Sequence, residues 1–395
     1  MGERRFLSGN HAVAYAVKCI QPEVIAAYPI TPQSSIVEKI SQFVANQELD
    51  ADFIRVESEH AALSACYGAV CAGCRVFTAT SSQGLAYMSE MLPYVSGSRF
   101  PMVMPVVNRS MAAPWTIWGD QQDAISHRDT GWIQLFVENA QEALDTCIQA
   151  YRLAEDPEVL TPVMVNLDGF VLSHTEELVD LPSLEEVQAY LPPYQAMFAV
   201  DFASPTTFCI GATPEVFIEY KYQQQEAMKA ALQKIPSVAA EFEKQFGRNH
   251  GGLIKSYLCE DADYILVTMG SFTGTARVVA QKLRAEGKKV GVLKVRSFRP
   301  FPLEEVAEVL QNTKAFGVLD RDYSYGNEGA LFTEVKAALY NSSKRPLALN
   351  FVGGLGGRDI SQDQFEAMFS KLEEANNQPE AVKAVNFVGL RCSDG

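Results

Sequence analysis

From Asn10 to about Gly169, apolar runs of strand length alternate with segments that read as helices, the spacing of a parallel α/β sheet. Asn10 is placed to cap a helix through Val17 and Ile20, and the strand VIAAYP ends at Pro29. Thr31-Pro32 reads as an N-cap followed by a first-turn proline, opening a second helix. FIRVES is a strand, EHAALSACYGAVCAG a helix of small residues suited to close packing, and VFTAT a further strand. A polar Ser81-Ser82-Gln83-Gly84 turn, a helix through Met91 and the buried strand PMVMPVV follow, and a helix from Gln141 to Ala154 leads into PVMVNLD.

The alternation lapses from about Pro182 to Gly252, where prolines and glutamine pairs surround a long amphipathic stretch. That stretch opens at Thr213-Pro214-Glu215, a cap with a first-turn proline and carboxylate, and Pro236 is expected to interrupt it. Regular order resumes with YILVTMG, a turn from Gly270 to Gly274 and a helix to Ala285. VGVLKVRSF reads as one strand; AFGVLD, a helix ending near Tyr340, and PLALNFVGGLGG complete the unit. The pattern divides the chain into residues 1–181, a linker region with a long helix at 182–255, and residues 256–395.

At 395 residues and 47% apolar, the chain is long enough for two or three cores. No apolar run approaches the roughly 20 residues that span a bilayer, and no apolar core follows Arg4 and Arg5 as in a secretory signal, so a cytoplasmic protein without a membrane partner is expected. A net charge of −15 with no basic block argues against nucleic acid. The same charge would repel a small acidic protein such as ferredoxin, so that if the protein passes electrons to one, another subunit would have to hand them over. The eight scattered cysteines suit free thiols in a reducing compartment.

In open α/β sheets ligands sit beyond the carboxyl ends of strands. Polar residues stand there at Tyr28-Pro29-Ile30-Thr31, Glu57-Ser58-Glu59-His60, Thr80 to Gly84, and Asn108-Arg109-Ser110. Glu59, opening an apolar helix, is either a helix-terminal carboxylate or one aimed at a cofactor ring nitrogen, with Glu57 as its competitor. Arg109 follows a buried strand and needs a partner, either Asp120 or Asp123 in a salt bridge or the carboxylate of a substrate. Thr31 caps a helix or turns its hydroxyl toward the same anion.

Cys66, Cys71 and Cys74 have an iron–sulfur-like spacing, but on a helix these offsets scatter the thiols around the axis, and no fourth cysteine lies nearby. Packing explains them better. The glycine runs at 270–274 and 353–357 fit neither a dinucleotide fingerprint nor a P-loop and read as tight turns. Histidines 11, 60, 127, 174 and 250 have no metal-ligand spacing.

Taken together, YPITPQSS, VESEHAALSA, TATSSQGL, NRSMAAP with WGDQQD, and SHRDTGW resemble the α subunit of the 2-oxoacid:ferredoxin oxidoreductases, pyruvate:ferredoxin oxidoreductase in particular. The likeness continues through VTMGSFTGTA, RSFRPFP and GGLGGRD and covers nearly the whole chain. It implies a thiamine-diphosphate-binding, pyrimidine-type parallel-sheet domain followed by a transketolase-C-terminal-like α/β domain. Glu59 then matches the family's glutamate that hydrogen-bonds the aminopyrimidine, with Pro29 beside the cofactor, and Thr31 and Arg109 match its substrate-binding pair. The resemblance further implies thiamine diphosphate shared with a β subunit, Mg2+, [4Fe-4S] clusters and coenzyme A in or with β, γ and δ-type partners, pyruvate as substrate, and ferredoxin reached through those partners. Sister enzymes for 2-oxoisovalerate or 2-oxoglutarate, and a non-catalytic scaffold of the same fold, are the alternatives.

Overall fold

The computed structural model describes residues 3–381 and 383–391. Its strands are β1 Glu3–Ser8, β2 Val24–Ala27, β3 Asp52–Arg55, β4 Val76–Phe77, β5 Val103–Asn108, β6 Ile133–Phe136, β7 Val163–Asp168, β8 Glu176–Leu181, β9 Ile254–Tyr257, β10 Tyr264–Thr268, β11 Val290–Val295, β12 Ser297–Arg299, β13 Ala315–Asp320, β14 Leu347–Val352 and β15 Val385–Phe387. Seven form one sheet in the order β12, β6, β7, β5, β4, β2, β3, and six form a second in the order β15, β14, β13, β10, β11, β9. Within the first sheet all pairings are parallel except β12 with β6; within the second, only β9 with β11 is antiparallel. β1 and β8 make a separate antiparallel ribbon.

Both faces of the first sheet are covered at its centre, which is why β5 and β7 are buried along their whole length and mostly apolar. Val103 and Val107 of β5 face the helices Gly9–Ile20, Ser34–Ala45 and Ala140–Ala154, whereas Met104 and Val106 face Glu59–Cys71 and its neighbours. Successive residues thus belong to different cores, as the two-residue period of a strand demands.

Four local expectations are corrected. Thr31 does not cap the second helix, which begins at Ser34 after Gln33. The buried Asn10 Nδ2 donates to Pro32 O at 2.7 Å and Ser35 Oγ at 2.8 Å, while Gln33 N donates to Ile30 O, and these bonds hold residues 30–33 as a turn ahead of the helix. Asn10 is consequently not a cap; Ser8 is, accepting from His11 N. The long helix runs from Pro214 to Phe246 straight through Pro236. Proline interrupts exposed helices at about 3 kcal/mol, but here Ala231, Ile235, Val238 and Phe242 are buried in the first core, and Tyr190 Oη donates to Val238 O at 3.0 Å. VGVLKVRSF, finally, is two strands: the chain leaves the second sheet after Val295 and joins the edge of the first at Ser297.

The crossing between sheets is anchored by buried charge. On the helix Ala140–Ala154, Glu142 lies 2.5 Å from Lys294 and 3.1 Å from Arg296, all three nearly inaccessible. Burial pushes Glu142 up, but Lys294 and Arg296 together bring it below the usual glutamate value. Burial likewise lowers Lys294 to about 8. Removing the shared carboxylate would leave Arg296 in a dry interior without an acid and Lys294 with only Glu138, at 3.0 Å. We expect Glu142→Ala to lower the unfolding free energy by about 3–5 kcal/mol in urea denaturation; a change near zero would contradict this account of the crossing.

Candidate active site

The carboxyl ends of β3, β2, β4, β5 and β7 are neighbours, so the loops that follow them converge on one edge. Ser58 caps the helix after β3 by accepting from Ala61 N, which puts Glu59 in its first turn. Glu59 is buried and Glu57 exposed, a difference of environment that the sequence does not display. Among the described residues no hydrogen bond or ion pair reaches the Glu59 carboxylate. The expected turn at Ser81–Gly84 is the start of a short helix, Ser82–Tyr87. A Cβ on Gly84 would come 2.8 Å from Glu59 Oε1 and 2.6 Å from Thr80 Oγ1, so only glycine lets this helix approach the carboxylate this closely.

In the segment that Gly84 brings against this carboxylate, Thr80 Oγ1, Ser81 Oγ and Gln83 Nε2 are buried without a partner, as is Gln33 Nε2 in the turn after β2. Unsatisfied buried donors and acceptors are costly in a folded chain. Their concentration in one loop region makes a polar, unsatisfied wall beside a carboxylate that has no partner among the described residues.

Arg109 is 5% exposed, and neither Asp120 nor Asp123 forms a salt bridge with it, contrary to the internal-pair alternative. Its Nε donates to Thr116 O and its Nη1 to Thr31 O, both at 2.9 Å, and its guanidinium lies 5.5 Å from the centroid of the exposed Trp115 ring. Burial lowers its pKa, with Asp123 acting in the opposite sense; an arginine nonetheless stays charged near neutral pH. Arg109 is therefore a buried cation bonded to neutral carbonyls. The structure brings it into contact with Thr31, whose side chain is exposed, through the Thr31 carbonyl. Pro29, two residues earlier, is also exposed.

Sequence reading missed what holds this edge together. Asp123, fully buried, accepts from Ser82 N and Arg109 N at 2.9 Å through Oδ2, and from Asn108 Nδ2 at 2.9 Å through Oδ1. Burial pushes its carboxyl up to about 7 although these bonds pull it down. Asp168, at the end of β7, receives Gln121 Nε2 at 3.1 Å, Ser271 N at 2.7 Å and Ser271 Oγ at 2.5 Å. Arg321, at the end of β13, pairs with Asp168 at 2.8 Å, outside hydrogen-bond geometry. The glycine turns of the second unit serve this junction. Gly270, at φ +74°, leaves no room for a Cβ beside Asp168, and Gly357 N donates to Gly119 O. Asp168 shared with other sites a sequence position just past an apolar strand, the signal that could have found it.

Cys66 and Cys71 lie on the helix Glu59–Cys71 and Cys74 beyond its end; burial pushes the Cys66 thiol up to about 12. Among the described residues no group of three or more His, Cys, Asp and Glu is arranged to hold a metal ion, and no helix is long and apolar enough to cross a membrane.

A doubly covered parallel sheet with an acidic cradle at its carboxyl edge, followed by a second α/β unit, is the architecture of a thiamine-diphosphate-type protein. Residues 15–240 match the family model "Pyruvate flavodoxin/ferredoxin oxidoreductase, thiamine diP-bdg", and residues 262–365 match "Pyruvate:ferredoxin oxidoreductase core domain II". The chain belongs to the pyruvate flavodoxin/ferredoxin oxidoreductase family. It is 48% identical to pyruvate synthase subunit PorA of Pyrococcus furiosus over 98% of both chains. It is 45% identical to ketoisovalerate oxidoreductase subunit VorA of Pyrococcus horikoshii, again over 98% of both. Among solved structures, a 2-oxoglutarate:ferredoxin oxidoreductase from Magnetococcus marinus superposes with a TM-score of 0.73 at 22% identity, covering 95% of this chain and 66% of that one, so this chain spans about two thirds of its length. A split-gene transketolase superposes with a TM-score of 0.54 at 13% identity, over 93% of this chain and 98% of that one. Both superpositions speak to the fold.

The Asp123 environment makes a prediction about pH. Its folded pKa of about 7 lies above the ordinary 3.8, so the native state holds a proton that the unfolded chain releases in between. Its contribution to stability is complete below 3.8 and is lost as pH rises through about 7, by up to about 1.4 kcal/mol per pH unit. Urea unfolding measured across this window should show that component in the native chain and not in Asp123→Asn; identical slopes would contradict it.

Proposed function

We propose that the chain is the α-type subunit of a coenzyme A-acylating 2-oxoacid:ferredoxin oxidoreductase that converts pyruvate to acetyl-CoA and CO2 with electrons passed to ferredoxin, or runs the reverse synthesis. The observation that carries this reading is the pairing, at one sheet edge, of a buried carboxylate with nothing bound to it and a buried guanidinium with no carboxylate of its own. The names of the relatives, pyruvate synthase subunits at 46–49% identity in several archaea, favour pyruvate. A branched 2-oxoacid is the second reading, supported by the 45% identity to ketoisovalerate oxidoreductase subunits.

Bound thiamine diphosphate supplies a carbon nucleophile and an electron sink for decarboxylation. Glu59 would hydrogen-bond the pyrimidine ring and hold its imino form, in the cradle of Thr80, Ser81, Gln83 and the Gly84 backbone, with Pro29 alongside. Arg109 would bind the substrate carboxylate, and Thr31 would donate its hydroxyl nearby. Trp115, lying beside the Arg109 guanidinium, would limit water at that carboxylate. Arg321 is neutralised by Asp168, whereas Arg109 has no carboxylate among the described residues; one such cation suits a monocarboxylate better than a dianion such as oxalate or 2-oxoglutarate.

In this reading the β subunit holds the diphosphate with its Mg2+, and β, γ and δ-type subunits carry the [4Fe-4S] clusters, handle coenzyme A and meet ferredoxin. The seven described cysteines, all free, favour a reducing cytoplasmic setting.

In the assembled complex, Glu59→Gln should cut coenzyme A-dependent dye reduction with pyruvate on the order of a hundredfold or more. Arg109→Lys keeps the charge but loses the fork, and should raise KM for the 2-oxoacid by about tenfold. Undiminished turnover in Glu59→Gln would overturn the catalytic reading and favour a scaffold, and a panel of 2-oxoacids separates pyruvate from branched substrates.

A further inference from the structure

The Asp123 carboxylate joins three separate pieces of chain. Its four donors are Ser82 N from the loop after β4, Arg109 N and Asn108 Nδ2 from the end of β5, and Ala124 N from its own short helix. Every one is a neutral N–H, so the charge has no counter-ion in contact. Ser82 is held at φ +49°, a left-handed conformation uncommon for a serine, and its Oγ donates to Ser110 O at 2.7 Å. The two backbone amides that share Oδ2 therefore belong to the residue before Gln83 and to Arg109 itself. Both loops that flank the crevice are fastened to a single oxygen.

We propose that Asp123 is a positioning residue for 2-oxoacid binding: by accepting the backbone amides of Ser82 and Arg109 on one oxygen, it fixes the direction in which the Arg109 guanidinium presents itself to the substrate carboxylate. The inference rests on the reading of Arg109 as the carboxylate site. Asp123 touches neither substrate nor cofactor and acts only through its partners.

The ionised form alone performs this role. A proton on Oδ2 faces two N–H donors, and a proton on Oδ1 faces the Asn108 amide and Ala124 N, so protonation costs at least one of the four bonds wherever it lands. The other ionisable groups that face it are Asp120 in the same loop, whose charge disfavours ionisation, Arg109 from β5, and His127, whose Nδ1 contacts the Asp123 carbonyl. Burial lowers His127, which places its titration on the acid side of its ordinary 6.5. Arg109 and a 2-oxoacid carboxylate keep their charges throughout the neutral range. A weakening of substrate capture as pH falls through about 7 is thus assigned to Asp123.

The test is steady-state kinetics on the assembled complex, with pyruvate as the probe, between about pH 5.5 and 8.5, a window that brackets the titration. In the native complex KM should rise as pH falls through neutrality while kcat changes less. Asp123→Asn, which keeps the shape but turns an oxygen into an NH2, should show a raised KM at every pH, on the order of tenfold to a hundredfold, and no inflection. Asn108→Ala removes a bond that stabilises the ionised carboxylate, and should move the native inflection to higher pH. A role confined to stability would reduce the yield of assembled complex and leave KM and its inflection in place, and that result overturns the inference. So does a native KM that is flat with pH, which can be read without any variant. If Arg109→Lys leaves KM unaltered, the carboxylate-site reading fails as well; if Arg109→Lys raises KM and Asp123→Asn does not, only the positioning role is lost.

Discussion

Two buried aspartates hold the carboxyl edge of the first sheet, and the rest of the site depends on them. A parallel sheet delivers its loops to one edge but does nothing to fix them once the strands end. Asp123 ties the loops after β4 and β5 to each other with N–H donors from three pieces of chain. Asp168 ties the end of β7 to Ser271 and Arg321 of the second unit. Buried carboxylates are tolerable only when their oxygens are occupied, and these two are.

That saturation throws the candidate functional groups into relief. Asp123 and Asp168 have their bonds; Glu59, also buried, has none among the described residues, and Arg109 bonds only to the carbonyls of Thr31 and Thr116. Thr80, Ser81 and Gln83, in the segment that approaches Glu59, leave further polar atoms unmatched. This contrast among the described residues is the ground on which Glu59 and Arg109 are proposed as ligand-binding groups. Gly84 and Gly270 make the same division in backbone terms, the first letting a short helix approach Glu59 and the second letting the second unit close on Asp168.

The alternation of apolar runs made both sheets legible, because strands buried on two faces leave a continuous apolar signature whatever their neighbours. Glu59 was legible as a helix start, since Ser58 caps within three residues of it. Its burial, and that it rather than Glu57 enters the crevice, was supplied by family likeness and not by local pattern. What the pattern misread was decided by bonds between residues far apart in sequence. Thr31 lost its capping role to a turn held by Asn10, 22 residues before its acceptor Pro32. Pro236 failed to break its helix because the flanking residues are buried against other elements. VGVLKVRSF divided because Arg296 is drawn to Glu142, 154 residues away. The bonding partners of Asp123, Asp168 and Arg321 were hidden for the same reason, although the place of Asp168 just past an apolar strand was visible.

The central claim is that Glu59 and Arg109 are open because ligands fill them, and the most direct measurement is the structure of the assembled complex, by electron cryomicroscopy, with thiamine diphosphate and an unreactive 2-oxoacid analogue. The account predicts the Glu59 carboxylate within hydrogen-bond distance of the pyrimidine ring and the analogue's carboxylate on the Arg109 guanidinium, with Asp123 still bound to Ser82 and Arg109. A pyrimidine ring seated away from Glu59, or an analogue carboxylate held by another cation while Arg109 pairs with a partner subunit's acid, would contradict it.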